Sequence, residues 1–133
     1  KVPGETCLPG WRVIASIAPV ITSDLPAQVG AKQPHRNSSG SFAAEFDLQQ
    51  TGTQLFVRQR QPGDRFQPLG MTMPKKLQDF MVDAKIPFPW RINIPIVCSP
   101  RQIIWVVGWR IDDRVKVTEA TKEVLHLEFI KSS

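Results

Sequence analysis

Ile103-Ile104-Trp105-Val106-Val107-Gly108-Trp109 carries apolar side chains at almost every position, so neither face of the segment can meet water. A strand with one wet face alternates apolar and polar residues; a run apolar on both faces has neighbours above and below it. Residues 103–109 are therefore expected as a central strand, and the other elements are read around it. Further short strands are expected at 94–98, 114–117 and 123–130. In the last of these, Leu125, Leu127 and Phe129 alternate with Val124 and His126. Upstream, residues 8–17 read as a strand entered through a Pro-Gly turn. Residues 42–48 read as another, with Phe42, Ala44, Phe46 and Leu48 on one face. Thr53 to Arg60 reads as a third, with Leu55 and Val57 on one side and Phe56, Arg58 and Arg60 on the other. Lys75 to Lys85 is the one clear helix: Leu77, Phe80, Met81 and Ala84 form an apolar stripe at helical spacing, Pro74 precedes it and Pro87 stops it. Strands around one main helix make an α+β fold, mostly antiparallel.

The chain has 133 residues, 41% of them hydrophobic and 22% charged, which suits one globular domain with a real core. Residues 18–40, with Pro19, Pro26, Pro34, Gly30, Gly40 and a Ser/Asn cluster, read as a long loop. This divides the chain into a strand-and-linker segment at 1–50 and the main domain at 51–133. No apolar run approaches the roughly 18 residues of a membrane span, and no leader peptide is visible. A start at Lys1 reads as a fragment. Cys7 and Cys98 belong to no paired-cysteine motif, so a reducing, cytoplasmic setting is expected.

Net charge is +5, and its placement matters more than its size. Residues 1–50 balance Lys1, Arg12, Lys32 and Arg36 against Glu5, Asp24, Glu45 and Asp47. From Arg58 to Lys116, eleven Lys/Arg face five Asp/Glu. Such a stretch attracts polyanions, nucleic acid first. Its centre is Arg58-Gln-Arg60-Gln-Pro-Gly-Asp-Arg65-Phe, three arginines around a Pro-Gly turn, followed by Lys75 and Lys76 at the expected helix start and by Lys85 and Arg91 around its end. Guanidinium forks match phosphate oxygens, and a helix start offers free backbone donors. The set Arg58, Arg60, Arg65, Lys75, Lys76, Lys85 and Arg91 is thus a candidate clamp for an RNA stem, which is read by phosphate and ribose contacts. The competing reading has Arg58 or Arg65 bracing the turn. Trp90, in a turn between Pro89 and Arg91, is the tryptophan to consider for stacking; Trp105 belongs to the core, and Trp11 and Trp109 to core or rim.

Catalytic chemistry is not in evidence. Cys7, His35, Cys98 and His126 lack zinc-ligand spacing, no nucleophile elbow occurs, and no phosphate-binding glycine loop is present, so catalytic, cofactor and metal residues are all expected to be none. The aspartates have adjacent cations, and surface ion pairs are expected for Asp64 with Arg65, Asp79 with Lys75, and Asp112 and Asp113 with Arg114. Two alternatives stay open: a small editing or hydrolytic module using Asp64, and a protein-docking module using the aromatic strand.

LFVRQRQPGDRFQPLGMTMPKKLQDFMVDAKIP (55–87), WRINIPIVC (90–98) and IIWVVGWRIDDRVKVTEATKEVLHLEF (103–129) together resemble the C-terminal domain of bacterial tRNA(Ile)-lysidine synthetase. The shared pattern is an Arg-x-Arg-x-x-Gly-Asp-Arg-Phe turn, a Pro-x-Gly, a Lys-Lys-Leu-x-Asp helix start, a Lys-Ile-Pro helix end and a Trp-Val-x-Gly strand. The match is strong over 52–129 and looser over 1–50. Met73 and Phe88 depart from it, standing where the family often has glycine and a basic residue. The resemblance implies a β/β/α layered domain similar to a module of phenylalanyl-tRNA synthetase. It implies a part of a cytoplasmic ligase that uses ATP and magnesium to join lysine to the wobble cytidine of tRNA(Ile), with adenylation in an N-terminal PP-loop domain absent from this chain. The partners implied are tRNA(Ile), held by its acceptor stem, and the enzyme's own catalytic domain; a homodimer is compatible. Carried over by position, Arg58, Arg60, Arg65, Lys75, Lys76, Lys85 and Arg91 are the implied tRNA contacts.

Overall fold

A computed structural model describes residues 4–8, 10–19, 35–36 and 41–131. The strands are β1 (Gly4–Leu8), β2 (Trp11–Pro19), β3 (His35–Arg36), β4 (Ser41–Asp47), β5 (Phe56–Arg58), β6 (Arg65–Phe66), β7 (Lys75–Lys76), β8 (Ile96–Cys98), β9 (Ile103–Val106), β10 (Arg110–Ile111) and β11 (Glu123–Lys131). The helices are α1 (Leu48–Thr51), α2 (Leu77–Asp83) and α3 (Phe88–Asn93). A five-stranded sheet has the order β1-β2-β11-β4-β3, a four-stranded sheet the order β10-β9-β8-β5, and β6 and β7 form a two-stranded ladder. Every strand pair described is antiparallel.

Three layers result, and the middle one explains the doubly apolar run. β11 turns Leu125, Leu127 and Phe129 inward; with Val13, Ala15, Ala44 and Phe46 they meet Val97, Trp105 and Ile111 of the four-stranded sheet. The opposite face of that sheet, with Ile96, Cys98, Ile103 and Val106, packs on Leu77, Phe80 and Met81 of α2, together with Phe66 and Ile86. Trp105 is fully buried between Phe46 (ring centroids 5.8 Å apart) and Phe129 (5.4 Å). Leu55 and Val57 pack against the first core, and Phe56 is half exposed, as their alternation requires. The aromatic strand lies in the middle layer and is unavailable as a docking face. No helix among the described residues is long and apolar enough to cross a membrane.

Several local expectations are corrected. β2 and β4 of the 1–50 segment share one sheet with β11, which pairs with β2 on one side and β4 on the other, and Val13, Ala15, Ala44 and Phe46 join the first core. Residues 4–8 are a strand as well, forming a hairpin with β2. β2 continues through Pro19, where a loop was expected from 18, and the rest of that loop, 20–34 and 37–40, lies outside the described residues. The third strand shrinks to Phe56–Arg58. The expected strand at 114–117 is instead a 3-10 turn, Asp113–Val115, because the Asp112 carboxylate accepts the Arg114 N–H at 2.8 Å and caps it.

The helix is shorter than its stripe suggested at both ends. Lys75 and Lys76 are extended, pairing with Phe66 and Arg65. At the far end the Lys85 N–H donates to the Val82 carbonyl and the Ile86 N–H to the Met81 carbonyl, both at 3.0 Å, the paired bonds of a Schellman stop. The residue in the left-handed position of that motif is Lys85, at φ 58°. Glycine fills this position without a Cβ clash, whereas lysine is strained. Lys85→Gly is therefore expected to stabilise the fold by about 0.5–1 kcal/mol, visible as a higher urea midpoint at unchanged slope.

Candidate nucleic-acid interface

The turn that carries the arginines is built by one carboxylate. In Gln61-Pro62-Gly63-Asp64, the Asp64 N–H donates to the Gln61 carbonyl at 3.2 Å, and Gly63 sits at φ 87°. Proline at the second position and a left-handed glycine at the third are what this turn geometry demands. The Asp64 side chain then accepts the Gln61 N–H at 2.7 Å and takes the Arg58 fork on both oxygens, at 2.9 and 3.0 Å. Arg58 also donates to the Gln59 carbonyl at 3.0 Å. Finally, the Asp64 carbonyl accepts the Leu77 N–H at 2.8 Å, tying the turn to the start of α2. That bond takes up the first helical donor, so the helix start is not the open donor set expected. Burial works against the charged form of Asp64, but the Arg58 hydrogen bonds, the Gln61 N–H and the charges of Arg58 and Arg60 outweigh it and hold the carboxyl below its ordinary value.

The seven cations separate into two groups. Arg58 is bound to Asp64, Lys75 is paired with Asp83, and Arg91 donates through Nε to the Ile86 carbonyl at 2.8 Å. Arg60, Arg65, Lys76 and Lys85 make no side-chain hydrogen bond or ion pair among the described residues. Arg65 and Lys76 stand directly opposite each other in the β6–β7 ladder, and both are exposed. Like charges in that relation repel, so the fold itself gains nothing from this pair. Arg60 and Lys76 line one recess of about 150 Å³ with Gln61, Pro62, Gly63, Asp64, Leu77 and Gln78. A broader dent of about 360 Å³ adjoins it, lined by Gln59, Arg60, Gln61, Pro62 and Gln78. Three free cations thus surround the Pro62-Gly63 turn, and the fourth, Lys85, lies one helix length away, about 10 Å.

Three of the four expected ion pairs change partners. Asp64 bonds Arg58 rather than Arg65, Lys75 meets Asp83 rather than Asp79, and Asp113 takes Lys116 rather than Arg114. Arg114 pairs with Asp112 as expected. Asp112 is not a surface residue: its side chain is wholly buried and accepts the Gln67 N–H at 2.8 Å and the Arg114 fork at 3.0 and 2.8 Å. Asp113 accepts the Gly70 N–H at 3.1 Å. These two carboxylates pin residues 67–70, and so hold the chain that follows Arg65. Their role was missed because consecutive acidic residues beside an arginine look like ordinary surface; the Asp-Asp-Arg cap of the 3-10 turn was the available signal. The bracing alternative for the arginines holds for Arg58 and not for Arg65. The Trp90 side chain and that of His35 lie outside the described residues. Trp109 packs partly buried against the helix-side core, and Trp11 against Phe42 and Phe129. His126 lies half exposed, 3.8 Å from Glu45. No cluster of three or more metal-ligating side chains occurs among the described residues.

Residues 55–128 match the family model described as the TilS substrate C-terminal domain. The tRNA(Ile)-lysidine synthase of Dehalococcoides mccartyi (strain CBDB1) is 43% identical over 125 residues, which are 94% of this chain and 24% of the relative. That of Caldanaerobacter subterraneus subsp. tengcongensis is 35% identical over 131 residues, 98% of this chain and 26% of the relative. The chain thus spans about a quarter of the length of these curated relatives. Among solved structures, the crystal structure of a TilS C-terminal domain superposes with a TM-score of 0.70 at 24% identity, covering 98% of this chain and 92% of that one. An N-terminal fragment of the phenylalanyl-tRNA synthetase β-subunit from Pyrococcus horikoshii gives 0.57 at 14% identity, over 67% of this chain and 28% of that one. Both likenesses concern the layered fold. With the family model covering the turn, the helix and the middle-layer strands, this chain belongs to the TilS substrate C-terminal domain family, the C-terminal domain of tRNA(Ile)-lysidine synthase.

Proposed function

We propose that the chain holds tRNA for a tRNA(Ile)-lysidine synthase, gripping the phosphates of a helical stem while lysine is joined to the wobble cytidine elsewhere in the enzyme. In this reading ATP, magnesium and catalysis belong to the rest of the enzyme, the two parts work together in the cytoplasm, and this chain contributes binding alone. The observation that carries the reading is the set Arg60, Arg65, Lys76 and Lys85, whose side chains make no hydrogen bond or ion pair among the described residues, with Arg65 and Lys76 opposed across a two-stranded ladder. Like charges in register are unfavourable until an anion lies between them, and a phosphate backbone supplies regularly spaced anions. Arg58, Lys75 and Arg91, already bonded within the chain, serve to shape this face. The hydrolytic alternative loses its acid, because both Asp64 oxygens are occupied.

The test is a salt titration of tRNA binding. Four phosphate contacts release about four counterions' worth of salt dependence, a log–log slope of roughly −2.8 to −3.6. Affinity should then fall about 50- to 150-fold between 50 and 200 mM monovalent salt. A slope near zero would exclude phosphate contact as the basis of binding.

A further inference from the structure

We infer that Asp64, a negative charge set amid the cations, is a positioning residue of the RNA-binding face, so that removing its charge weakens RNA binding instead of strengthening it. The inference rests on the reading above and makes a demand that the reading alone does not. On Coulomb's law, an acidic side chain beside Arg60 and Lys76 repels a polyanion, and its neutralisation should help. The geometry argues the opposite. Asp64 is the point where three parts of the face meet: its carboxylate holds Arg58 of β5 by two bonds, it holds the Gln61 N–H inside the turn, and its backbone carbonyl holds Leu77 at the start of α2. Arg60 lies between Arg58 and Gln61, Arg65 follows Asp64, and Lys76 precedes Leu77. Each of the three free cations at the turn is therefore covalently next to an anchor of this one carboxylate or its carbonyl.

The Arg58–Asp64 bond is a planar, two-point contact, and its side chains are 25% and 11% exposed. A fork on a carboxylate fixes orientation as well as distance. Without it the turn keeps its backbone bonds to Gln61 and Leu77 but loses its side-chain tie to β5, which loosens the spacing of Arg60 and Arg65 to Lys76. A binding face whose charges must be ordered on contact binds more weakly than one ordered beforehand.

The experiment measures tRNA-transcript binding by the 133-residue chain carrying Asp64→Asn, Asp79→Asn or Arg58→Lys. Asp79 is an exposed α2 residue with no side-chain partner among the described residues, so its variant makes the same change in net charge without touching the brace. Asp64→Asn is expected to bind about five- to tenfold more weakly at 0.1 M salt, with a shallower salt slope, the loss of roughly one phosphate contact. Asp79→Asn should bind as tightly as the parent or slightly tighter. Arg58→Lys keeps every charge but replaces the fork by a single point, and should also weaken binding several-fold. Thermal melting establishes that each variant is folded at the binding temperature, and Arg58→Lys decides the matter if Asp64→Asn is not. Asp64→Asn behaving like Asp79→Asn, Arg58→Lys binding like the parent, or neither brace variant folding would each overturn the positioning role. A parent chain with no salt-dependent binding is a different failure, that of the proposed function.

Discussion

Alanine at Arg60, Arg65 and Lys76 together should cut affinity for tRNA by about 100- to 500-fold at 0.1 M salt and by almost nothing at 1 M. Each phosphate contact contributes about 0.7–0.9 of a decade per decade of salt, so three contacts are worth roughly 2.1 to 2.7 decades between those conditions. The fold should barely register the change. Arg65 and Lys76 are exposed, Arg60 is partly so, and none has a side-chain bond among the described residues to lose; removing the Arg65–Lys76 repulsion even favours the ladder. The discriminating measurement is a pair of curves, binding against salt and melting temperature, on the same protein. Affinity that survives the triple change would put the grip elsewhere on the molecule, and a collapse of the melting temperature would recast these residues as structural.

Trp105→Ala should remove about 3–5 kcal/mol of stability, read as a shift in the urea midpoint. Total stability of a domain this size is typically 5–15 kcal/mol, so this one change is expected to leave the chain near the edge of folding. Trp105 joins the two sheets through edge-on contacts with Phe46 and Phe129, and all three rings are fully buried. Trp105→Phe keeps the ring contacts and removes an indole N–H that is buried without an acceptor. It should cost less than half as much. Trp105→Phe costing as much as Trp105→Ala would mean that the ring contacts with Phe46 and Phe129 do not govern this site.

Much of this was legible in the residue pattern because the layers impose periodicities. The doubly apolar 103–109 run announced the middle layer, and Leu125, Leu127 and Phe129 announced the inner face of β11. The stripe of Leu77, Phe80 and Met81 announced the helix packed beneath. What the pattern did not disclose depended on long-range bonds. Lys75 and Lys76 have helical propensity, but the Asp64 carbonyl takes the Leu77 N–H and β6 holds the lysines extended. The N-terminal strands read as an appendage, since nothing local marks them as neighbours of a strand more than seventy residues away. In the cationic cluster, residue types identified the right neighbourhood, but only coordinates separate Arg58, committed to Asp64, from Arg60 two positions on.

β11 has a further consequence for biosynthesis. It is the strand between β2 and β4, yet it is the last of the described strands to leave the ribosome. Until residues 123–131 emerge, β2 and β4 each have an unsatisfied backbone edge and the first core lacks Leu125, Leu127 and Phe129. The nascent chain must therefore delay its five-stranded sheet until β11 has emerged, and sheets that await distant partners form slowly. A stalled or shortened polypeptide ending before Glu123 would present two naked edges suited to pairing with other chains, which makes it a natural client for chaperones and a ready seed for aggregation.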